Sequence, residues 1–67
     1  MRLKVQEYRI LRRMTIRELA KRAGVAKSSI EAMESAQPNP TLQKLYSVAK
    51  ALGVMIQDLI EYEDGDE

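Results

Sequence analysis

The sequence predicts an all-α fold, and three observations carry that expectation. Apolar residues recur at three- and four-residue spacing, with no alternating run that would mark a strand. Two segments, Ala23-Gly24-Val25 and Leu52-Gly53-Val54, close amphipathic stretches with a glycine followed by a valine. That chemistry stops a helix in the left-handed conformation and seals it with an apolar contact. Two threonines, Thr15 and Thr41, stand just before amphipathic stretches, where a hydroxyl satisfies the exposed amides of a helix start.

Taken in order, the first helix is expected over residues 3–14, with Leu3, Ile10, Leu11 and Met14 inward and Val5 and Tyr8 widening the stripe. The second starts at Thr15. Thr15-x-x-Glu18 is a capping box, in which the hydroxyl takes one orphan amide and the carboxylate reaches back to another. It stops at Gly24. The third helix runs from about Lys27 to Glu34, and Pro38 and Pro40 keep the following loop irregular. Thr41 caps a fourth helix that buries Leu42, Leu45, Val48, Ala49 and Leu52. A short fifth helix holds Ile56, Leu59 and Ile60. Leu19 to Val25 echoes Val48 to Val54, which reads as shared capping chemistry rather than a repeat, because the period is not sustained.

Sixty-seven residues make one small domain, which buries only about 60% of its unfolded surface. Residues 1–62 are expected to form it, with 63–67 a disordered acidic tail. There is no cysteine or histidine, so disulfides are excluded and no metal site or cofactor can be argued. No His or Cys nucleophile system, phosphate-cradling glycine loop or paired carboxylate is present to suggest an enzyme. No apolar run approaches the roughly 20 residues that span a bilayer, and the N-terminus lacks the apolar core of a signal peptide. A soluble cytoplasmic protein without a membrane partner is the expectation.

The net charge of +1 hides a split. Residues 1–50 hold all eleven Lys and Arg against four acids, whereas residues 51–67 hold six acids and no base. One part of the molecule attracts a polyanion and the other does not. The basic part contains Thr15 to Glu34, which reads as two short helices joined by a turn, with Ala20 and Gly24 small where the helices meet. That is the pattern of a helix-turn-helix, whose second helix lies in the DNA major groove. Double-stranded DNA is therefore the expected partner.

On the third helix, Val25, Ile30 and Met33 are expected to face inward, leaving Ala26, Lys27, Ser28, Glu31, Ala32 and Ser35 outward. Lys27 can donate to guanine O6 and N7, Ser28 can pair with several bases, and Ala32 can touch a thymine methyl. Glu31 has two readings: acceptor from cytosine N4, or a charge that repels phosphate at wrong sites. Phosphate anchoring is expected from Thr15 and Arg17 at the start of the second helix, and from Ser35, Gln37 and Asn39 on the loop side. Arg12, Arg13, Lys21 and Arg22 add to the field without needing contact.

With these residues in view, the chain resembles the phage repressor and Cro-like helix-turn-helix domains, the xenobiotic-response-element family of bacterial regulators. The resemblance spans roughly residues 2–61 and rests on Thr15-x-x-Glu18-Leu19-Ala20, Ala23-Gly24-Val25, Ser29-Ile30, Met33-Glu34, Pro38-Asn39-Pro40-Thr41-Leu42 and Ala49 to Val54. It implies a compact five-helix, lambda-repressor-like domain, usually a homodimer on a near-palindromic operator, encoded by a bacterium or phage. It implies an ion pair between Arg9 and Glu34, and a dimer surface on the fifth helix formed by Ile56, Leu59, Ile60 and Tyr62. Those four also have the simpler reading of core cover.

The chain departs from the family pattern at named positions. Ile16 stands where the family usually has a DNA-contacting Gln, so its apolar side chain meets a sugar, a methyl group or a protein. Arg13 and Ala36 stand where the family often has Gly, and Ala36 is expected to be strained if held at positive φ. Ala26 and Met55 replace capping Ser or Thr, at about 1 kcal/mol each. Two function classes follow. One is a sequence-specific transcriptional regulator, expected to be a repressor, with antitoxin and restriction–modification controller as close variants. The other is a helix-turn-helix module turned to a protein partner, for which Ile16 and Glu31 are the motivating residues.

Overall fold

The computed structural model describes residues 1–62, so the expected tail over 63–67 lies outside the described residues. Five helices follow one another: α1 (Val5–Leu11), α2 (Ile16–Ala23), α3 (Lys27–Met33), α4 (Leu42–Leu52) and α5 (Ile56–Leu59). A two-residue strand at each end, β1 (Arg2–Leu3) and β2 (Ile60–Glu61), pairs antiparallel with Leu3 opposite Ile60 and Arg2 opposite Glu61. The Lys4 amide extends the pairing by donating to the Leu59 carbonyl at 2.7 Å. The molecule is thus helical as expected, with a small strand pair added. Two residues carry no alternation, and their pairing joins opposite ends of the chain, so local periodicity could not reveal them.

The core gathers Leu3, Val5, Leu19, Ala20, Ile30, Met33, Leu45, Val48, Ala49, Leu52 and Leu59. α2 packs against both α3 and α4, and α4 also meets α1 and α5. The second and third helices therefore share one scaffold, with only their outer faces free.

Three helix ends use one device. The Val25 amide donates to the Ala20 carbonyl and the Gly24 amide to Lys21, with Gly24 at φ 71°. The Val54 and Gly53 amides repeat this toward Ala49 and Lys50, with Gly53 at φ 73°. The third case ends α1: Met14 donates to Arg9 and Arg13 to Ile10, and the left-handed residue is Arg13, at φ 57°. Among the described residues Arg13 is the one non-glycine at positive φ, so the strain expected at Ala36 is absent.

Three inward assignments are corrected. Helix α1 stops at Leu11, short of residue 14, because the Arg13 turn ends it there. Ile10 and Leu11 are 58% and 70% exposed; the face of α1 that meets the core carries Val5, half-buried Tyr8 and the largely buried Arg9 side chain. Leu3 is buried, but from β1. Leu42, in the first turn of α4, is 73% exposed, so the α4 stripe begins at Leu45.

Candidate nucleic-acid interface

Helix α3 has one buried and one open side. Ile30 and Met33 are buried and Val25 half-buried, while Ala26, Lys27, Ser28, Glu31, Ala32 and Ser35 are all exposed. These are the two faces expected from helical spacing, since residues three and four apart share a side. Lys27 Nζ lies 3.9 Å from Glu31 Oε2 with both side chains about half exposed. One helical turn therefore offers a donor and an acceptor side by side.

The N-termini of two other helices flank α3. On one side, Thr15, Ile16 and Arg17 at the start of α2 line a recess together with Lys27 and Arg9. The capping box is formed: Thr15 Oγ1 accepts from the Glu18 amide at 3.0 Å, and the Thr15 amide donates to Glu18 Oε1 at 2.9 Å. Those bonds hold the Glu18 carboxyl below its usual pKa, the Thr15 amide first. The amides of Ile16 and Arg17 have no carbonyl one turn back to pair with. On the other side, Asn39, Thr41 and Lys44 form a second recess with Ser28 and Ala32 of α3. Thr41 Oγ1 accepts from the Lys44 amide at 3.1 Å and caps α4.

The expected ion pair is formed. Arg9 Nε donates to Glu34 Oε2 at 2.7 Å and Nη2 donates to Oε1 at 3.1 Å, a two-pronged contact. Arg9 Nη1 also donates to the Met14 carbonyl at 2.9 Å. The pair is largely buried, with 12% and 8% of the side chains exposed. Its bond to Glu34 raises the Arg9 pKa above the ordinary guanidinium range. Arg9 thus joins α1, the α1–α2 turn and the end of α3, and fixes the angle at which α3 is presented.

One sequence expectation changes here, at Leu59. Ser35 Oγ donates to the Ala32 carbonyl at 2.6 Å and closes the end of α3, while the side chain stays exposed. Leu59 is fully buried; it supports the core and has no surface to give a partner. Of the other proposed dimer residues, Ile56 and Ile60 are half-buried and Tyr62 is 78% exposed. Gln37 is exposed within the α3–α4 loop.

Three residues outside the expected site, Lys44, Tyr46 and Met55, also line these surfaces. Tyr46 and Met55 are 56% and 61% exposed and line an apolar cleft between α4 and α5 with Val54 and Ile56. Lys44 carried a readable signal, a cation in the first turn of a helix with no acid there. The helix dipole disfavours that placement. Lys27 repeats the pattern in α3, also without a first-turn acid, and Arg17 shares the first turn of α2 with Glu18.

The helix-turn-helix family model matches residues 5–59. An uncharacterized helix-turn-helix-type transcriptional regulator of Methanocaldococcus jannaschii is 38% identical over 98% of this chain and all of that protein. The transcriptional regulator SinR of Bacillus licheniformis is 35% identical over 96% of this chain, which spans 59% of SinR. The solution structure of the N-terminal DNA-binding domain of Bacillus subtilis SinR superposes with a TM-score of 0.76, at 34% identity, covering 96% of this chain and 94% of that one. The crystal structure of SinR in complex with DNA gives a TM-score of 0.74, at 36% identity, covering 81% and 87%. These named relatives are transcriptional regulators, not enzymes.

Proposed function

The chain belongs to the helix-turn-helix family of transcriptional regulators, and on that premise we propose that it binds double-stranded DNA sequence-specifically, as a cytoplasmic repressor acting as a homodimer on a near-palindromic operator. The observation that carries the reading is the arrangement of cations around α3. Arg17, Lys27 and Lys44 each occupy the first turn of a helix, against the dipole, and the recesses beside α3 include all three. A polyanion running across α3 relieves that frustration, because phosphates meet both the cations and the open amides. SinR, whose structure in complex with DNA is similar to this chain over 81% of its length, supports double-stranded DNA as the partner.

In this reading α3 enters the major groove. Lys27, Ser28, Glu31 and Ala32 address base edges, with Ala26 at the groove wall. Thr15, Arg17 and the backbone amide of Ile16 hold one phosphate strand, and Gln37, Asn39 and Lys44 hold the other. A two-fold partner contacting Ile56, Ile60 and Tyr62, with Met55 and Tyr46 adjoining, sets two copies of α3 about 34 Å apart, one turn of DNA. A bound dimer blocks the groove to other proteins, which is repression by occupancy.

The test is selection of random duplexes on the purified chain, then titration of the winner at two salt concentrations. The expected result is an enriched inverted repeat whose affinity falls steeply with salt. Absence of enrichment would favour the protein-partner reading.

A further inference from the structure

We propose that the Ile16 side chain receives the C5-methyl group of a thymine, so that the protein reads this base next to the one addressed by Lys27. The inference deepens the DNA-binding reading and rests on it. Ile16 opens α2 and packs one flank against the core. Its remaining surface lines the open recess that also holds Thr15, Arg17 and Lys27. Two chemistries therefore stand side by side. The cations and the unpaired amides at the start of α2 suit an anion. The aliphatic wall suits none, because a phosphate oxygen seated on Ile16 would lose water without gaining a hydrogen bond.

A ligand that satisfies both must carry an apolar group close to its negative charges. On the major-groove edge of duplex DNA, that group is the thymine methyl. Lys27 shares the recess with Ile16, so one side chain takes a methyl while its neighbour donates to the acceptors of an adjacent base. Deoxyribose also presents C–H groups, but it is the same at every position and would give no sequence preference. A methyl contact and a sugar contact are thus separable by experiment.

The experiment takes the whole chain and the duplex it enriches from a random pool. Each thymine is replaced in turn by uracil, which deletes only the methyl, and binding is titrated at fixed salt. One position per half-site is expected to lose about 3- to 5-fold in affinity, the worth of one buried methyl. Ile16→Ala is expected to bind the thymine and uracil duplexes equally while keeping the wild-type salt dependence. Because Ile16 also touches the core, Ile16→Val serves as the second variant, expected to fold and to retain part of the preference. The proposal is overturned if no thymine is sensitive, which places a sugar against Ile16. It is also overturned if the sensitive position is unchanged in both variants, which assigns the methyl to another residue such as Ala32. A pool that yields no enriched duplex overturns the DNA-binding reading itself, a result distinct from either.

Discussion

Arg13 carries a left-handed backbone at φ 57° in a position that Gly24 and Gly53 fill in the equivalent turns. A side chain there costs about 1–2 kcal/mol, because Cβ crowds the following carbonyl. Arg13→Gly is therefore expected to stabilise the domain, raising Tm by about 4–8 °C for each 1 kcal/mol gained. A thermal melt of the two proteins decides; an unchanged midpoint would mean that the Arg13 side chain makes up the difference. The Arg9–Glu34 pair acts the other way. Glu34→Ala leaves a largely buried guanidinium without its carboxylate, at a cost of about 3 kcal/mol, read as a lowered urea midpoint. Arg9→Lys should recover little, since an ammonium cannot make the two-pronged contact. The raised Arg9 pKa means its contribution is present throughout the ordinary pH range and is lost only as pH rises through the folded value, above the usual guanidinium range.

At the level of elements, helix starts are where stability and function compete. Met55 stands at the start of α5 with extended backbone, and its amide donates to Asp58 Oδ2 at 2.9 Å. That is half a capping box, since methionine offers no hydroxyl to the Asp58 amide. Met55→Ser should complete it and add about 1 kcal/mol, measurable by denaturant titration. The complete box at α2 has a pH signature. The folded Glu18 pKa is lowered, so its contribution is present above the ordinary carboxylate range and fades as pH falls through the folded value. Acid titrations of wild type and Glu18→Gln should therefore converge at low pH and separate above it; parallel curves would rule the linkage out. The capping box at α2, the Gly24 and Gly53 stops and the split faces of α3 were all legible in sequence, because each depends on residues within one turn of one another. Ile10, Leu11 and Leu42 were misread for a physical reason. Periodicity identifies an apolar stripe but not which stripe a neighbour covers, and α1 carries apolar residues on two sides.

For the whole molecule, the question is which surfaces remain free once the core closes. Leu59→Arg, a natural choice for breaking a fifth-helix dimer, should unfold the chain, because Leu59 is fully buried and an arginine there would have no partner. Tyr62→Arg changes an exposed side chain. It should leave the circular dichroism unchanged while reducing the sedimentation coefficient and weakening binding to an inverted repeat. A folded Tyr62→Arg protein with both properties intact would move the two-fold contact elsewhere, with the cleft between Tyr46 and Met55 next in line. β1 and β2 clamp residues 2–3 to 60–61, so removal of either strand releases the other.

The sequence by itself determined the helical class, the helix-turn-helix over Thr15 to Glu34, the outward face of α3 and the excess of positive charge around it. Each of these follows from short-range spacing or from counting, and neither needs a partner element. Tertiary structure alone decided that Leu59 belongs to the core. It also decided that Lys44 and Ile16 line recesses on opposite sides of α3. Those facts depend on which helix packs against which, and contacts between residues far apart in the chain leave no periodic trace in it.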